Sequence, residues 1–354
     1  MATYTHIPVR GARRRTIVVF AVATALAAVG LGKTVTTSNA SGRVEAQAAY
    51  HWPVKPFDTQ HPVRGGFGDP RTVFKSSPTL RGVLSGACSC SLHRGIDVAA
   101  PDGSAVYPVA SGTVTYRNGE WIKVDSGSGQ AFEYWHINAS VAVGTHVDAY
   151  QTVLGHIKRG SGHVHLTELD GGRAVNPLAP GHIGPYSDHT TPRVSSISFR
   201  PTETGRDELP NLIRGRVLIV AEAVDDPTMD SPEGWKGLPV SPALLTWEIR
   251  SWTGKVVLGR QIAVDFRGAL PDRSFSSVYA RGTYQNMATD DLPVTERIAD
   301  AVDEGRLAVA EIDETDRDGK DKDRDGDDSS HGAVSLRTTS ATKASSSSSD
   351  PSLT

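Results

Sequence analysis

Three short stretches of this chain carry histidine and aspartate side chains at spacings that could bind a metal ion. They are "HRGID", with His93 and Asp97, "YWHI", with His136, and "HVHL", with His163 and His165. In a β-strand, residues i, i+2 and i+4 leave on one face, so each pair would point to a single side. An isolated H-x-H is more often the polar face of a half-buried strand. The pair therefore gains meaning only from the other two stretches.

The chemistry of these side chains favours zinc. A catalytic zinc commonly takes three protein ligands and keeps a fourth position open for water. His93, Asp97 and one histidine of the 163/165 pair would supply such a set, and imidazole with carboxylate favours zinc over calcium or magnesium. Cys88 and Cys90 lie near His93 and offer an alternative Cys/Cys/His set. In an oxidising compartment these two could instead form a disulfide, although a disulfide across one residue is strained.

The elements that must position these side chains are predicted to be short strands. The chain has 354 residues, with 35 Gly and 21 Pro, and its hydrophobic content of 38% supports packed cores. Between residues 65 and 177, short apolar runs such as "GIDVAA", "EWIKVD" and "HVHLTEL" alternate with turns that contain Gly and Asp. This pattern indicates successive strands of one antiparallel domain. The predicted fold class is therefore all-β.

The order of the three motifs resembles the lysostaphin/LytM-type zinc metalloendopeptidases, which are peptidoglycan hydrolases of bacterial cell walls. The resemblance extends over roughly residues 65–178 and includes "GGFGDP" at 65–70, "PDGSAVYPVASGTV" at 101–114 and "NPL" at 176–178. It implies an antiparallel β-sheet LytM-type peptidase domain with one Zn²⁺ per chain. Its implied substrates are the peptide stems or cross-links of peptidoglycan.

The resemblance also implies a role for each motif residue. His93, Asp97 and His165 would bind the zinc, while His136 and His163 would be the catalytic histidines. Uncoordinated histidines beside a zinc-bound water can accept its proton and stabilise the developing oxyanion. Every side chain that this chemistry requires is present in the chain.

Three departures from the family pattern are predicted to fall on the substrate groove, the first being a shorter loop before the histidine pair, "GHIKRGSGHVH". Leu166 stands where an aromatic residue is usual, and Trp135 replaces the small residue that commonly precedes the catalytic histidine. Which peptide bond would be cleaved depends on loop shapes that the sequence does not reveal. The remaining histidines His146, His156, His182 and His189 match no ligand position and are interpreted as surface or loop residues.

The sequence predicts five segments along the chain. These are an export signal with the start of a linker (1–48), an extended lead-in (49–62), the zinc peptidase domain (63–188), a β-sandwich-like accessory domain (190–288) and a low-complexity acidic and Ser-rich tail (289–354). The accessory domain is predicted from regularly spaced strand patterns, and it shows no catalytic cluster. The tail is predicted to be disordered because its composition cannot form a core.

The N-terminus predicts export. Arg13, Arg14 and Arg15 precede an apolar stretch at 16–32, followed by small residues. A retained membrane anchor is the alternative, although this stretch is shorter than the span of about 20 residues that a bilayer requires. Either interpretation places the protein outside the cytoplasm of a bacterium, secreted or in the cell envelope. The N-terminal segment also predicts transient membrane association.

The expected partners are peptidoglycan peptides, and the protein is expected to be a monomer. A net charge of -3 argues against nucleic-acid binding, since there is no basic field to attract phosphates. Asp321, Asp323 and Asp325 with Gly326 copy the opening of a calcium loop. The closing bidentate acid of that loop would fall at Gly332, which has no side chain, so a solvated acidic tail is the preferred interpretation.

Two other classes of function compete with the peptidase prediction. One is a non-catalytic, cell-wall-binding regulator of another hydrolase, but the presence of His136 and His163 argues against it. The other is a structural or adhesive surface protein whose activity lies in the region 193–285. No motif of exposed aromatic residues in that region supports the adhesive interpretation.

Overall fold

The protein is described by a computed structural model that covers residues 48–72, 90–201, 207–209, 217–232, 235–251, 253–280 and 283, together with the backbone of 308–313 and 332–339. Nearly all regular structure in these ranges is β-strand, and a single turn of 3₁₀ helix spans Phe275–Ser277. The all-β fold class is therefore confirmed. The predicted export segment lies outside the described residues, except for position 48. Among the described residues, no helix is long and apolar enough to cross a membrane.

The first β-unit contains thirteen strands in the described part of the chain. They are β1 Val63–Gly65, β2 Pro70–Arg71, β3 Ser91–Leu92, β4 Ile96–Ala99, β5 Ala105–Val106, β6 Gly112–Arg117, β7 Trp121–Gly127, β8 Gln130–Trp135, β9 Ile137–Ala139, β10 His146–Val147, β11 Gly155–Ile157, β12 His163–Asp170 and β13 Arg173–Val175. Their short length fits the frequent Gly and Asp turns of this region.

An eight-stranded sheet forms the centre of the first β-unit. Its order is β1-β4-β12-β8-β7-β6-β10, with β13 also paired to β12. The pairings of β12 with β4 and β8 are antiparallel, so "HVHL" lies between "HRGID" and the strand before His136. Val164 and Leu166 are completely buried on the face opposite the histidines, so the expectation that Leu166 falls on the substrate groove is wrong. Burial of this apolar face fixes the direction in which the two histidines leave β12.

Two smaller sheets complete this unit. One has the order β5-β11-β9 and the other pairs β2 with β3. The β2–β3 pair matters for the site, since β2 follows a short loop after β1 and β3 ends just before His93. We call residues 66–69, "GFGD", the β1–β2 loop.

The second β-unit consists of two three-stranded sheets. Its strands are β14 Arg193–Pro201, β15 Val217–Val224, β16 Leu244–Ser251, β17 Val256–Asp265, β18 Ala308–Asp313 and β19 Gly332–Thr339. The sheet orders are β14-β15-β18 and β17-β16-β19. Buried side chains of both units belong to one continuous hydrophobic cluster.

The two strands β18 and β19 fall in the segment predicted to be a disordered tail. They pair antiparallel with β15 and β16, so the expectation of disorder is wrong for 308–313 and 332–339. The first stretch, "AVAEID", begins with three apolar residues, the second, "GAVSLRTT", alternates apolar and polar residues in its middle, and each pairs with one edge of a neighbouring strand. The rest of the tail, including the predicted calcium-like loop, lies outside the described residues.

Direct backbone contacts connect the two units. Val175 forms an antiparallel bridge with Ala269, and the Asn176 amide donates to the carbonyl of Gly268 at 2.6 Å. The Asn176 side chain is buried and donates from Nδ2 to the carbonyl of Phe266 at 2.9 Å. The boundaries proposed from sequence at 188 and 190 stay predictions, but the units on either side of them contact each other closely.

Candidate metal centre

The register of the central sheet brings the three motifs together. Asp97 on β4 is opposite His165 on β12, and His165 is in turn opposite Trp135 at the end of β8. Residues that face each other across antiparallel strands have their side chains on the same face, about 5 Å apart. A single cross-strand row therefore carries the carboxylate, one imidazole and the residue before His136.

His93 reaches this row by a different route from the one that its spacing predicts. The expectation that His93 and Asp97 leave one strand on the same face is wrong, because β3 ends at Leu92 and β4 begins at Ile96. The connection passes through Gly95, where an added Cβ would lie 2.1 Å from the carbonyl oxygen of Leu166. Close packing on β12 thus requires glycine there, and the turn still brings His93 Nε2 to 3.2 Å from Asp97 Oδ1.

Hydrogen bonding determines which nitrogen of His93 faces the site. His93 Nδ1 lies 2.7 Å from the carbonyl oxygen of Gly66 in the β1–β2 loop. A carbonyl oxygen only accepts, so Nδ1 carries the proton and Nε2 presents its lone pair. Burial and the nearby Arg71 lower the pKa of His93 to about 3, which keeps the ring neutral.

The Asp97 side chain is buried, and its two oxygens face different partners. Arg71 donates from Nη2 to Asp97 Oδ2 at 2.7 Å, which leaves Oδ1 directed toward the histidines. Burial opposes ionisation of this carboxyl, but His93 and Arg71 together hold its pKa well below the ordinary value. The side chain is therefore a carboxylate with one oxygen available.

His165 completes a triangle of electron-pair donors. His165 Nε2 lies 2.8 Å from the Thr167 hydroxyl, which can accept its proton, and in that tautomer Nδ1 presents a lone pair. Nδ1 lies 2.7 Å from His93 Nε2 and 3.1 Å from Asp97 Oδ1. Adjacent ligands of a tetrahedral zinc are about 3.3 Å apart, given bonds of about 2.0 Å. Three unprotonated donors at these separations repel one another unless a cation lies among them, so the residues fit one zinc ion.

His163 lies beside this triangle with its ring fixed at both nitrogens. Nδ1 donates to the carbonyl of Ser161 at 2.5 Å, and Nε2 accepts from Arg64 Nη2 at 3.2 Å. Nε2 is also 3.6 Å from Asp97 Oδ1. Burial, with a smaller contribution from Arg64, lowers the pKa of His163 to about 3.

His136 occupies the junction between β8 and β9 and is more exposed than the other histidines of the site. Its φ of 66° lies in the left-handed region, which is uncommon for a residue with a Cβ and is found at functional sites. Its ring centroid is 4.6 Å from that of His163 and 6.4 Å from that of His165. Burial lowers the pKa of His136 to about 4.

All five residues singled out from the sequence thus lie together in the structure. Among the described residues, His93, Asp97 and His165 form the one cluster of His, Cys, Asp or Glu side chains that could hold a metal ion, with ligand atoms within 4.8 Å of one another. Cys90 is disulfide-bonded, so its sulfur is not available as a ligand. His146, His156 and His189 are exposed, while His182 is half-buried and contacts Glu168.

Sequence reasoning missed three side chains that contact the site. Thr167 could have been found, because it lies two residues after His165 and therefore on the same face of β12. Arg64 and Arg71 come from β1 and β2, far from the motifs in sequence, and no local pattern marks them. Their contacts with His163 and Asp97 depend on the tertiary fold.

Aromatic rings extend the same cross-strand row away from the metal cluster. Trp135 stacks on Trp121 with a centroid distance of 4.3 Å and an interplanar angle of 7°. Trp121 stacks in turn on Tyr116 at 4.1 Å, and Tyr116 is exposed. These three rings form an aromatic wall next to His136 and His165.

Comparison with known proteins gives one family match. The model of a family described as "Peptidase family M23" matches residues 91–177, which include all five residues of the site. No curated protein matches the chain.

The solved structures that match this protein do so over about a third of its chain. A chain in the complex of SpoIIIAH and SpoIIQ is 25% identical over 36% of this chain and 97% of that one, with a TM-score of 0.28. A zinc-containing peptidase from Vibrio cholerae is 21% identical over 37% of this chain and 39% of that one, with a TM-score of 0.28. The catalytic domain of lysostaphin from Staphylococcus simulans is 19% identical over 32% of this chain and 86% of that one, with a TM-score of 0.25.

Proposed function

We propose, from the membership of residues 91–177 in peptidase family M23, that the protein is a zinc metalloendopeptidase that hydrolyses peptide bonds in the stems or cross-links of bacterial peptidoglycan. The observation that carries this proposal is the convergence of His93 Nε2, Asp97 Oδ1 and His165 Nδ1 on one point, with His136 and His163 beside them. A structural cluster would have no need of two further imidazoles at its open side.

In this proposal His93, Asp97 and His165 hold one zinc ion, which when bound polarises the scissile carbonyl and lowers the pKa of a bound water to about 7. The contacts on the far side of each ligand support this assignment. Gly66 orients His93, Arg71 orients Asp97 and Thr167 orients His165. Ligands that are oriented in this way are the usual pattern of protein metal sites.

The two remaining histidines handle protons and charge. The Nδ1 proton of His163 is held by the Ser161 carbonyl, so Nε2, once it is released from Arg64 Nη2, is the nitrogen that accepts a proton from the attacking water and returns it to the leaving amine. His136 approaches from another strand and donates a hydrogen bond to the developing oxyanion. Arg64 adds a permanent positive charge 3.2 Å from His163 Nε2, which favours negative charge on the substrate and opposes protonation of His163.

The aromatic wall is proposed to contact the substrate beside the metal cluster. Trp135 and Trp121 lie in the row that begins at Asp97 and His165, and Tyr116 stacks on Trp121 from a diagonal position, so a peptide bound across the strands would run along their edges. Trp135 is also the departure from the family pattern noted in the sequence. We assign the wall to substrate contact and leave the bond that is cleaved open.

The proposed place of action is outside the bacterial cytoplasm, where peptidoglycan lies. This rests on the charged and then apolar N-terminal segment, since cationic residues followed by an apolar run are typical of export signals. The protein is proposed to act as a monomer on peptidoglycan peptides, with membrane association limited to that N-terminal segment.

The test pairs zinc content with hydrolysis of purified cell walls for four single variants of the full chain. We expect about one zinc per wild-type chain. His165→Ala should lose both zinc and activity, whereas His163→Ala and His136→Ala should keep zinc and lose about 100-fold or more in turnover. His156→Ala is the matched control, because His156 is exposed and belongs to β11, and it should resemble the wild type.

Three results would contradict parts of this assignment. If His163→Ala loses zinc while His165→Ala keeps it, the two roles within "HVHL" are reversed. If all the histidine variants retain full zinc, the ligand set is wrong. If the wild type cleaves no wall of any chemotype but stimulates a separate hydrolase, the non-catalytic regulator is the correct function.

A further inference from the structure

The β1–β2 loop lies between the metal cluster and the second β-unit. On one side, the carbonyl of Gly66 accepts the Nδ1 proton of His93 at 2.7 Å. The loop also contacts the His93 backbone, because Gly68 donates its amide to the His93 carbonyl at 2.9 Å and His93 donates its amide to the Asp69 carbonyl at 2.8 Å. The position of His93 therefore depends on the position of this loop.

On its other side, the loop is bonded to the second β-unit through Asp69. The Asp69 carboxylate is buried and accepts two backbone amides, from Gly66 at 2.7 Å and from Ser241 at 2.8 Å. The first bond closes the loop upon itself. The second bond, over a sequence separation of 172 residues, connects it to the segment that precedes β16.

A second connection runs through a buried hydroxyl. Tyr279 is only 1% exposed and donates its phenolic proton to the carbonyl of Gly68 at 2.7 Å. The Ser241 hydroxyl forms a hydrogen bond with the Tyr279 oxygen at 2.9 Å. Phe266 packs directly under Gly68, where an added Cβ would lie 2.4 Å from the ring. The loop is therefore in contact with the second β-unit through two polar groups and one ring.

We propose that Ser241 and Tyr279 are positioning residues for the metal centre: by fixing the β1–β2 loop, they hold the Gly66 carbonyl against His93 and so set the orientation of this ligand and the affinity of the site. This inference rests on the proposed zinc site. It adds that the second β-unit, which has no chemical motif of its own, is part of the metal-binding apparatus.

The physical basis of this proposal is that a metal ligand whose orientation is not fixed binds the ion more weakly. An imidazole whose outer nitrogen is bonded to a fixed carbonyl is held in one tautomer and one ring orientation, and outer partners of this kind affect metal affinity by about 10- to 100-fold. Tyr279 and Ser241 act one step further out, through the loop backbone. We therefore expect their removal to weaken zinc binding by about 3- to 10-fold, below the loss expected for a direct partner.

The decisive experiment measures zinc affinity by chelator competition and the visible absorption spectrum of the cobalt-substituted protein, both on the full chain. Tyr279→Phe deletes the hydroxyl and keeps the ring, and Ser241→Ala deletes the hydroxyl that bonds to Tyr279 and to the Asp69 side chain while it keeps the Ser241 amide. Tyr279→Phe should raise the zinc Kd by about 3- to 10-fold and shift the cobalt spectrum, and Ser241→Ala should change both in the same direction by less.

Tyr150→Phe is the matched control. The Tyr150 hydroxyl also makes two hydrogen bonds, to the amide of His51 and the carbonyl of Val109, but neither partner belongs to the β1–β2 loop. This variant should lose stability to a similar degree and keep the wild-type Kd and cobalt spectrum. All measurements are made at a temperature at which circular dichroism shows each variant to be folded.

The outcomes separate this inference from the proposed function. Failure of the wild type to bind zinc or cobalt would remove the metal site itself. Wild-type zinc binding with unchanged Kd and spectrum in Tyr279→Phe would overturn the inference alone, and so would an equal loss in Tyr150→Phe. If Tyr279→Phe does not fold, Ser241→Ala decides, and a wild-type Kd and spectrum in that variant would overturn the inference.

Discussion

The two β-units of this protein contribute to the same site in opposite ways. In the first unit, the motif residues His93, Asp97 and His165 converge through their side chains. The second unit offers no such cluster among its described residues, yet its Ser241 amide and Tyr279 hydroxyl bond to the loop that holds His93. The residues that would touch a metal are thus recognisable in sequence, while the residues that orient them are not.

This difference has a chemical origin. A metal ligand must be one of a few residue types, so its identity and spacing leave a pattern in the sequence. A supporting group needs only a donor or a surface at the right place, which a backbone amide or a buried phenol supplies equally well. The comparison predicts that changes at the contact between the units should affect the metal site as well as stability.

The largest expected effect is at Gly68, which packs against the Phe266 ring of the second unit. Gly68→Ala would force a Cβ to 2.4 Å from the Phe266 ring at a φ of 88°. The left-handed backbone costs about 1–2 kcal/mol for an alanine, and overpacking adds about 1–3 kcal/mol. We expect a loss in unfolding free energy near the sum of these two, with weaker zinc binding, measured by urea unfolding and chelator competition.

The control for this variant separates backbone strain from the contact between units. Gly103 has a similar φ of 82°, but nothing lies within 4 Å of an added Cβ. Gly103→Ala should therefore lose only the unfolding free energy that the left-handed backbone accounts for, and it should keep normal zinc affinity. Equal losses in the two variants would show that the second unit does not press on the loop. The double variant Gly68→Ala with Phe266→Leu should recover part of the difference.

Much of the first unit could be predicted because its local patterns agree with its burial. "HVHLT" alternates polar and apolar residues over the first part of β12, and the complete burial of Val164 and Leu166 on one face leaves both histidines on the other. The family resemblance then supplied the fold and the roles. The match to residues 91–177 confirms that resemblance, whereas the role of each site residue stays a prediction.

The remainder depended on long-range geometry that spacing does not encode. A four-residue spacing suggested one strand for His93 and Asp97, but the chain turns at Gly95 because β12 lies too close for a side chain. The strands Ala308–Asp313 and Gly332–Thr339 were assigned to a disordered tail because of their charged and Ser-rich surroundings. Their pairing depends on the open edges of β15 and β16, which only the folded chain provides.

A smaller effect is expected at Trp235, where the second unit contacts the catalytic side of the site. The Arg64 guanidinium carbon lies 3.4 Å from the centroid of the Trp235 ring, while Arg64 Nη2 contacts His163. A cation–π contact of this kind contributes about 0.5–1 kcal/mol at an exposed site. Trp235→Leu should therefore lower the rate of wall hydrolysis by about 2- to 5-fold with zinc content unchanged.

Trp235→Phe is the control, since it keeps an aromatic face for Arg64 and should retain most of the activity. A loss of zinc in Trp235→Leu would mean that the Trp235–Arg64 contact also affects the metal ligands, as the contacts of Ser241 and Tyr279 with the β1–β2 loop are proposed to do. Identical rates in the wild type and both variants would show that Arg64 does not need this support.

The smallest expected effect is in the first unit alone, at the end of β12 that lies away from the two histidines of the site. His182 Nδ1 is 2.7 Å from Glu168 Oε2, and this hydrogen bond, with smaller charge effects of Glu168 and Asp170, raises the pKa of His182 above its ordinary 6.5. The buried Glu168 also accepts hydrogen bonds from Tyr50 and Gln130, so it keeps partners when His182 is neutral. A raised histidine pKa means that the ion pair stabilises the fold fully below pH 6.5, and that this contribution disappears as the pH rises through the folded-state pKa. Because His182 is half-buried, solvent screening should limit the contribution to less than about 1 kcal/mol.

The wild type should therefore lose more unfolding free energy than His182→Gln between pH 6 and pH 8.5, as measured by urea unfolding at each pH. Zinc affinity should be equal in the two proteins at each pH, since the hydrogen bonds of His182, Tyr50 and Gln130 to Glu168 involve neither the β1–β2 loop nor a proposed ligand. The exposed His146, 3.7 Å from Asp148, provides the control, and His146→Gln should follow the wild-type curve. Parallel stability curves for the wild type and His182→Gln would refute the ion pair, and a change in zinc affinity would show that the metal site is sensitive to the whole first unit as well as to the second.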